Sequence, residues 1–404
     1  MGERNGDFVP MPVTPVGTRP ERHLYTLDVL RGLGALIVVL YHWGHFFVRQ
    51  TYAPERMPLY GLLKPFYLNG WEAVDLFFCL SGFVFFWLYT DAIHERRLAA
   101  AKFAILRFSR LYPLHLATLL FVAAGQLAIR AQFNHDFIYY ENDLYHFILQ
   151  LFLAGNWGFE RGFSFNGPSW SVSVEVLLYA VFFLVCWLRL DRTACLVGFA
   201  VAGFLIHMLP GLGPVEVGGG LFCFFIGGLS FRLFRWARAR EFSGKFLLVA
   251  AALIAVAWFF LPFDHHRLFF YRHYAASPLP AFLTWHGHDA GAYAILLFSG
   301  NSINLILFPL TLLVLALLES QGFISGRRLA FIGDLSYSSY LLHFPLQMVF
   351  YFVTRSAGVP ETWFYTAPSF LLYFGLLIPL SLASHYYFER PVQSLLRRKL
   401  LGPA

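Results

Sequence analysis

Charge is what this sequence has least of. Only 13% of its 404 residues are Asp, Glu, Lys or Arg, against 58% hydrophobic residues that include 47 Phe. Such a chain cannot cover itself with a water-soluble surface. Apolar stretches near twenty residues recur along almost its whole length, so it reads as one polytopic membrane domain and not as several soluble ones. Cysteine is scarce too. Cys79, Cys186, Cys195 and Cys223 fall in or at the ends of apolar runs with neither metal-type nor framework spacing, which argues against a disulfide scaffold. The first 22 residues lack an apolar core and carry Pro10, Pro12, Pro15, Pro20 and three Arg, so residues 1–22 read as a flexible cytosolic tail and not as a cleavable signal peptide. The net charge of +7 does not call for a nucleic-acid partner, because the basic residues sit in short loops between apolar runs, where they act as topology signals.

What is present is a series of ten apolar spans, predicted at 24–48, 71–93, 111–129, 168–188, 194–209, 215–234, 246–263, 290–318, 329–353 and 363–388. The sequence thus predicts an all-α integral membrane protein, a bundle of about ten transmembrane helices over residues 23–391 with a basic end at 392–404. The eighth span has a possible break at SGNSIN. A basic amphipathic segment before Pro113 should lie on the membrane surface, and the connection from Arg130 to Gly167 holds an apolar run too short to span, Leu144 to Leu153. Alternate sides of this map carry 21 and 8 Lys and Arg, which puts both termini in the cytosol.

The first span contains Arg31 and His42. Eleven residues at about 100° each bring them to one face, roughly 16 Å apart along the axis. Ionisable groups at membrane depth are costly, so that face should line a polar cavity. On the predicted topology His42, Asp75 and Glu175 all lie within roughly 6 to 10 Å of the outer boundary, whereas Arg31 is near the inner one. A His beside a carboxylate can act as general base on a hydroxyl, and either Asp75 or Glu175 can be that partner. Arg31 and the basic segment after the second span offer a cytosolic seat for a phosphate-bearing ligand whose reactive end reaches His42. This arrangement points to transfer across the membrane.

Each residue also has a plainer reading. Arg31 can pair with Asp28 one turn earlier, and Arg107 and Arg110 in RFSR can serve topology alone. The loop with His265, His266, His273, His286 and His288 lacks an ordered element to hold a metal, so none is expected. His343 follows Ser336, Tyr337, Ser338, Ser339 and Tyr340, hydroxyls that can bond between helices, and Glu389 in FERP reads as a structural cap to the last span. Tyr139, Tyr140, Trp157 and Phe159 in the outer loop can stack on sugar rings or form an interfacial belt. A transporter or flippase for a glycan or other polar solute is the rival function, and it predicts inverted halves that the sequence does not display.

Taken in order, LDVLRGLGALIVVLYH with Arg31 and His42, VDLFFCLSGFVFF with Asp75, RFSRLYP, PSWSVSVEVLLY with Glu175, LSYSSYLLHFP with His343 and YYFERP resemble the acyltransferase 3 family of membrane O-acyltransferases. The resemblance implies a ten-helix enzyme of the bacterial inner membrane. It would take an acyl group, usually acetyl and sometimes succinyl, from cytosolic acyl-CoA and pass it to a carbohydrate hydroxyl at the outer face. It further implies that Arg31 and His42 are essential and that Arg107 and Arg110 belong to the acyl-CoA site. The partners implied are acyl-CoA, a carbohydrate acceptor, the lipid bilayer and other glycan-synthesis membrane proteins. Some relatives carry an esterase-like domain after the last helix; here a second transfer step would fall to a separate protein.

Overall fold

The computed structural model describes residues 23–47, 52–209, 211–240, 242–260 and 303–402, together with 284–285 and 288–289, which form a two-residue antiparallel strand pair. The other regular elements among the described residues are helices. In order the helices are α1 Tyr25–Tyr41, α2 Tyr60–Asn69, α3 Glu72–His94, α4 Ala100–Phe133, α5 Leu144–Leu151, α6 Trp170–Trp187 and α7 Thr193–Met208. There follow α8 Val215–Arg238, α9 Gly244–Phe260, α10 Phe308–Ser320, α11 Phe331–Ser356, α12 Ala367–Ala383 and α13 Arg390–Leu401. Among the described residues, seven helical segments are long and apolar enough to cross a membrane. The protein is an integral membrane protein by that measure.

Three of the predicted spans fall outside these seven, and some predicted boundaries are corrected. Helices α7 and Gly244–Trp258 are apolar but shorter than the seven. Helix α11 is long, yet a run of hydroxyls followed by His343 and Gln347 keeps it outside them. The predicted surface segment and third span are one 34-residue helix, α4, with Pro113 in its interior. Proline there removes a single backbone donor, and apolar neighbours continue the helix on both sides. The last span does not end near Phe388. It runs from α12 through a π-helical turn, Ser384–Glu389, into α13, so Glu389 is interior and accepts from Ser338 and, at 3.0 Å, from Ser384. The SGNSIN break lies mostly outside the described residues, but its last two residues, Ile303 and Asn304, open the π-helical turn Ile303–Leu307. The side chains of the His-rich loop also lie outside them.

The largest apolar cluster joins α3, α6, α8 and α10. Helices α3 and α8 meet at glycines: a Cβ on Gly82 would collide with the Phe224 carbonyl, and one on Gly227 with the Cys79 carbonyl. Without a hydrophobic drive between helices in lipid, such close backbone approach supplies the packing. Gly82→Ala is therefore expected to destabilise by ~1–3 kcal/mol, read as a lower melting temperature of the detergent-solubilised protein; an unchanged melt would show that the two backbones can separate freely.

Glu319, at the end of α10, accepts from the Thr26 backbone N–H and hydroxyl, both at 2.7 Å, and from Gly326 N–H at 3.1 Å. This pins the start of α1. From there α1 runs parallel to α11: Arg31 meets Ser336 near one end and His42 meets His343 farther along. In the long connection, α5 is capped by Asp143, which accepts from His146 N–H at 2.9 Å. That bond and a second from the His146 ring hold the Asp143 carboxyl below the usual carboxylate range.

Candidate active site

A chamber of about 2860 Å³ opens at the end of the bundle where α1 begins and α13 ends. Its wall carries eleven Arg and Lys side chains against five Asp and Glu, an excess that favours a polyanion. Helix α4 contributes Lys102, Arg107 and Arg110 to it, α8 Arg235 and Arg238, and α13 Arg397. Arg107 lies among aromatic faces, 5.2 Å from the Phe85 ring and 5.1 Å from that of Tyr89, whose hydroxyl accepts from it at 2.6 Å. Its Nε is buried without a partner. Arg110 lines the chamber and forms no hydrogen bond or ion pair among the described residues. Two guanidiniums thus keep donors in reserve.

Arg31 also reaches the chamber, but its Nε and one of its two terminal nitrogens are committed to the wall. Nε donates to Ser336 at 3.0 Å, and one terminal nitrogen lies 3.3 Å from the Gly333 carbonyl and 3.0 Å from Asp28. The local Asp28 pair is thus present, extended into a clamp between α1 and α11. Glu175 lies on the chamber wall, accepting from Ser81 at 2.8 Å and from Tyr179. Asp75 is not part of that wall. It accepts from Asn304 of the π turn at 2.7 Å.

The chamber stops short of His42. Its deep end is formed by Phe77, Ser171 and Tyr340, and neither His42 nor His343 lines it. Beyond that layer His42 Nδ1 lies 3.1 Å from His343 Nε2, the rings stacked 4.9 Å apart at 20°. The partner of His42 is therefore a second histidine, and neither Asp75 nor Glu175 bonds to it. The reason is rotational. Two residues along α3, Phe77 faces the chamber while Asp75 is turned by roughly 200° towards Asn304, and Glu175 sits one turn beyond Ser171, on the chamber side of the layer.

Other groups hold the pair. α1 tightens to a 3₁₀ turn, His42–Phe47, and Gln347 donates to the His42 carbonyl at 2.8 Å while its own oxygen lies 3.0 Å from His45 Nδ1. Tyr373 donates to the His343 carbonyl at 2.9 Å. His343 Nδ1 is buried without a partner. Sequence reasoning missed this role of His343, although a signal was there: Ser336, Tyr340, His343 and Gln347 recur at three- or four-residue intervals and form one polar helix face. Replacing Gln347 with Leu should loosen the 3₁₀ turn and lower turnover by roughly tenfold, the scale of one lost buried hydrogen bond, with an unchanged KM for donor in initial-rate assays.

In the outer connection, Tyr140 and Phe159 are exposed, Trp157 donates to the Ser173 carbonyl at 2.8 Å, and Tyr139 is 3.5 Å from His45 Nε2. Glu141, Asp143 and His146 bring possible metal ligands together, but the Arg161 guanidinium already bonds Asp143 and its backbone N–H is 3.2 Å from His146 Nε2. An organic cation holds that place.

Residues 24–386 match the family model described as an acyltransferase domain. The chain belongs to the acyltransferase 3 family. This family member is similar to protein 2 in the picA locus of Rhizobium radiobacter, 36% identical over 105 residues, covering 26% of this chain and 46% of that one. It is also similar to the acyltransferase MdmB of Streptomyces mycarofaciens, 28% identical over 204 residues and 48% of each chain. The chain thus spans about half the length of the curated relatives it matches. No solved structure matches.

Proposed function

We propose that this protein moves an acyl group from cytosolic acyl-CoA to a hydroxyl of a carbohydrate at the outer face of a bacterial inner membrane. Acetyl is the donor group we favour, as the family resemblance implies. The reading takes ten spans with both termini cytosolic, which turns the chamber mouth to the cytosol and the histidine pair outward. The observation that carries it is the polarity of the site along the bundle: a basic chamber with uncommitted guanidiniums at one end, and a paired His beyond its far wall.

Arg107 and Arg110 would take the CoA phosphates, which match forked donors in charge and shape. Arg31 would hold the chamber wall and the α1–α11 register, adding positive potential more than direct contacts. The pantetheine arm would cover the roughly 16 Å between the levels of Arg31 and His42. At its end His42 Nε2 takes the proton from the acceptor hydroxyl as the oxygen attacks the thioester carbonyl. The tetrahedral adduct collapses, the C–S bond breaks, and the departing thiolate recovers the proton from His42. This needs the His42 tautomer with its hydrogen on Nδ1, donating to His343 Nε2. His343 then fixes the ring and stabilises the imidazolium, the part sequence reasoning assigned to Asp75 or Glu175. Glu175 would shape the chamber wall and Asp75 would brace α3 on the π turn. Tyr140 and Phe159, exposed on the outer connection, are suitable platforms for a sugar ring.

The test supplies labelled acetyl-CoA and, separately, labelled succinyl-CoA to membranes that contain native surface glycans and either wild-type protein or His42→Ala at matched expression. Label should enter the glycan fraction only with wild type. Failure of both donors with folded protein would contradict acyl transfer and favour a transporter.

A further inference from the structure

The chamber and the histidine pair are separated by a layer one or two side chains thick, and its members differ in how firmly they are held. Tyr340 is 4% exposed, donates to the Pro168 carbonyl at 2.7 Å and has the Ser171 hydroxyl 2.6 Å away, so its ring is anchored at the hydroxyl end. Phe77 has no polar anchor. It touches Tyr340 edge-on at 6.0 Å between centroids and rests against Gly34, where a Cβ would come within 2.8 Å of its Cε1. Gly34 lies one turn beyond Arg31 and two turns before His42 on α1. On α11, Tyr340 lies between Ser336, the partner of Arg31, and His343, the partner of His42. The layer therefore sits at the level any thioester would cross.

We propose that Phe77 is the movable seal of this layer, and that the gap it leaves against Gly34 and Tyr340 sets how wide an acyl group can pass from the chamber to His42. This rests on the acyl-transfer reading above. Turning the ring about χ1 and χ2 breaks only van der Waals contacts, whereas turning Tyr340 breaks two hydrogen bonds at once. The glycine is what leaves the ring room to turn. The closed layer also keeps water in the chamber from reaching His42 before a donor fills the passage, so a thioester meets the acceptor hydroxyl before it meets bulk water.

The test compares acetyl-, butyryl- and isobutyryl-CoA, supplied to the cytosolic face of membrane vesicles bearing native glycans, with release of CoA thiol and transfer of labelled acyl group both followed. Branching at the α carbon adds width without length. Phe77→Ala should raise the isobutyryl-to-acetyl rate ratio by about tenfold or more, the discrimination a single methylene can carry in an apolar site, and Phe77→Leu should raise it less. Gly34→Val should bind labelled CoA as wild type does yet transfer every acyl group poorly, because the ring is jammed. A ratio within about twofold of wild type in both Phe77 variants, while they still transfer acetyl, would overturn the proposal. So would loss of all transfer in both with CoA binding intact, since opening a seal does not block a passage. Absence of transfer by the wild type itself would instead overturn the acyl-transfer reading.

Discussion

His42→Ala is expected to lower acyl transfer by about 10³-fold or more, and His343→Ala by about 10²-fold, the range over which a positioned base contributes. Both losses should fall on kcat, with the KM for acyl-CoA changed little, because neither ring lines the chamber that would hold the nucleotide. The two are expected not to add. Once His42 is gone, His343 has no ring to orient across the 3.1 Å contact, so the double variant should match His42→Ala alone. Initial rates over a range of acetyl-CoA concentrations, for both singles and the double, measure all of this. If His343→Ala lowered the rate as much through KM as through kcat, the pairing would be structural and the base would need another partner.

The second large effect concerns the donor. Arg107 and Arg110 leave most of their donors unengaged, whereas Nε and one terminal nitrogen of Arg31 are committed to Ser336, Gly333 and Asp28. A charge-assisted hydrogen bond contributes roughly 1.5–3 kcal/mol, so each of Arg107→Ala and Arg110→Ala should raise the KM for acyl-CoA by about 10- to 100-fold. The kcat at saturating donor should be largely retained. Arg31→Ala should behave differently: it leaves Asp28 with His23 as its one remaining partner among the described residues and unclamps α1 from α11, so folded yield should fall along with activity. Binding of labelled CoA to the three purified variants, normalised to folded protein, separates these cases. Equal affinities for Arg110→Ala and wild type would remove Arg110 from the donor site.

How much of this was legible in the sequence depended on whether a signal was local. The shared face of Arg31 and His42 follows from helical geometry alone, and the structure puts that face against α11. The surplus of Arg and Lys near one end was equally visible, since it needs only positions along the chain. What composition could not give was pairing across the fold. His42 and His343 are 301 positions apart, and nothing local to either names the other. For Asp75 and Glu175 the sequence offered only a depth along each helix, and depth is not direction. A two-residue step around α3 sends Asp75 to Asn304, and one turn along α6 puts Glu175 behind the Tyr340 layer. Helix α11 shows the same limit from the other side: it read as the ninth apolar span, yet the polar face that supplies Ser336, Tyr340, His343 and Gln347 leaves it outside the seven segments apolar enough to cross a membrane.

The central claim is vectorial transfer through His42, and sealed vesicles test it most directly. Acyl-CoA does not cross a bilayer, so labelled acetyl-CoA can be confined to the cytosolic face and glycan acceptor to the other. The account predicts label on the glycan across the membrane, in amounts that depend on His42, with free CoA released on the cytosolic side. Label reaching glycan equally well with His42→Ala, or only when donor and acceptor share one face, would contradict it.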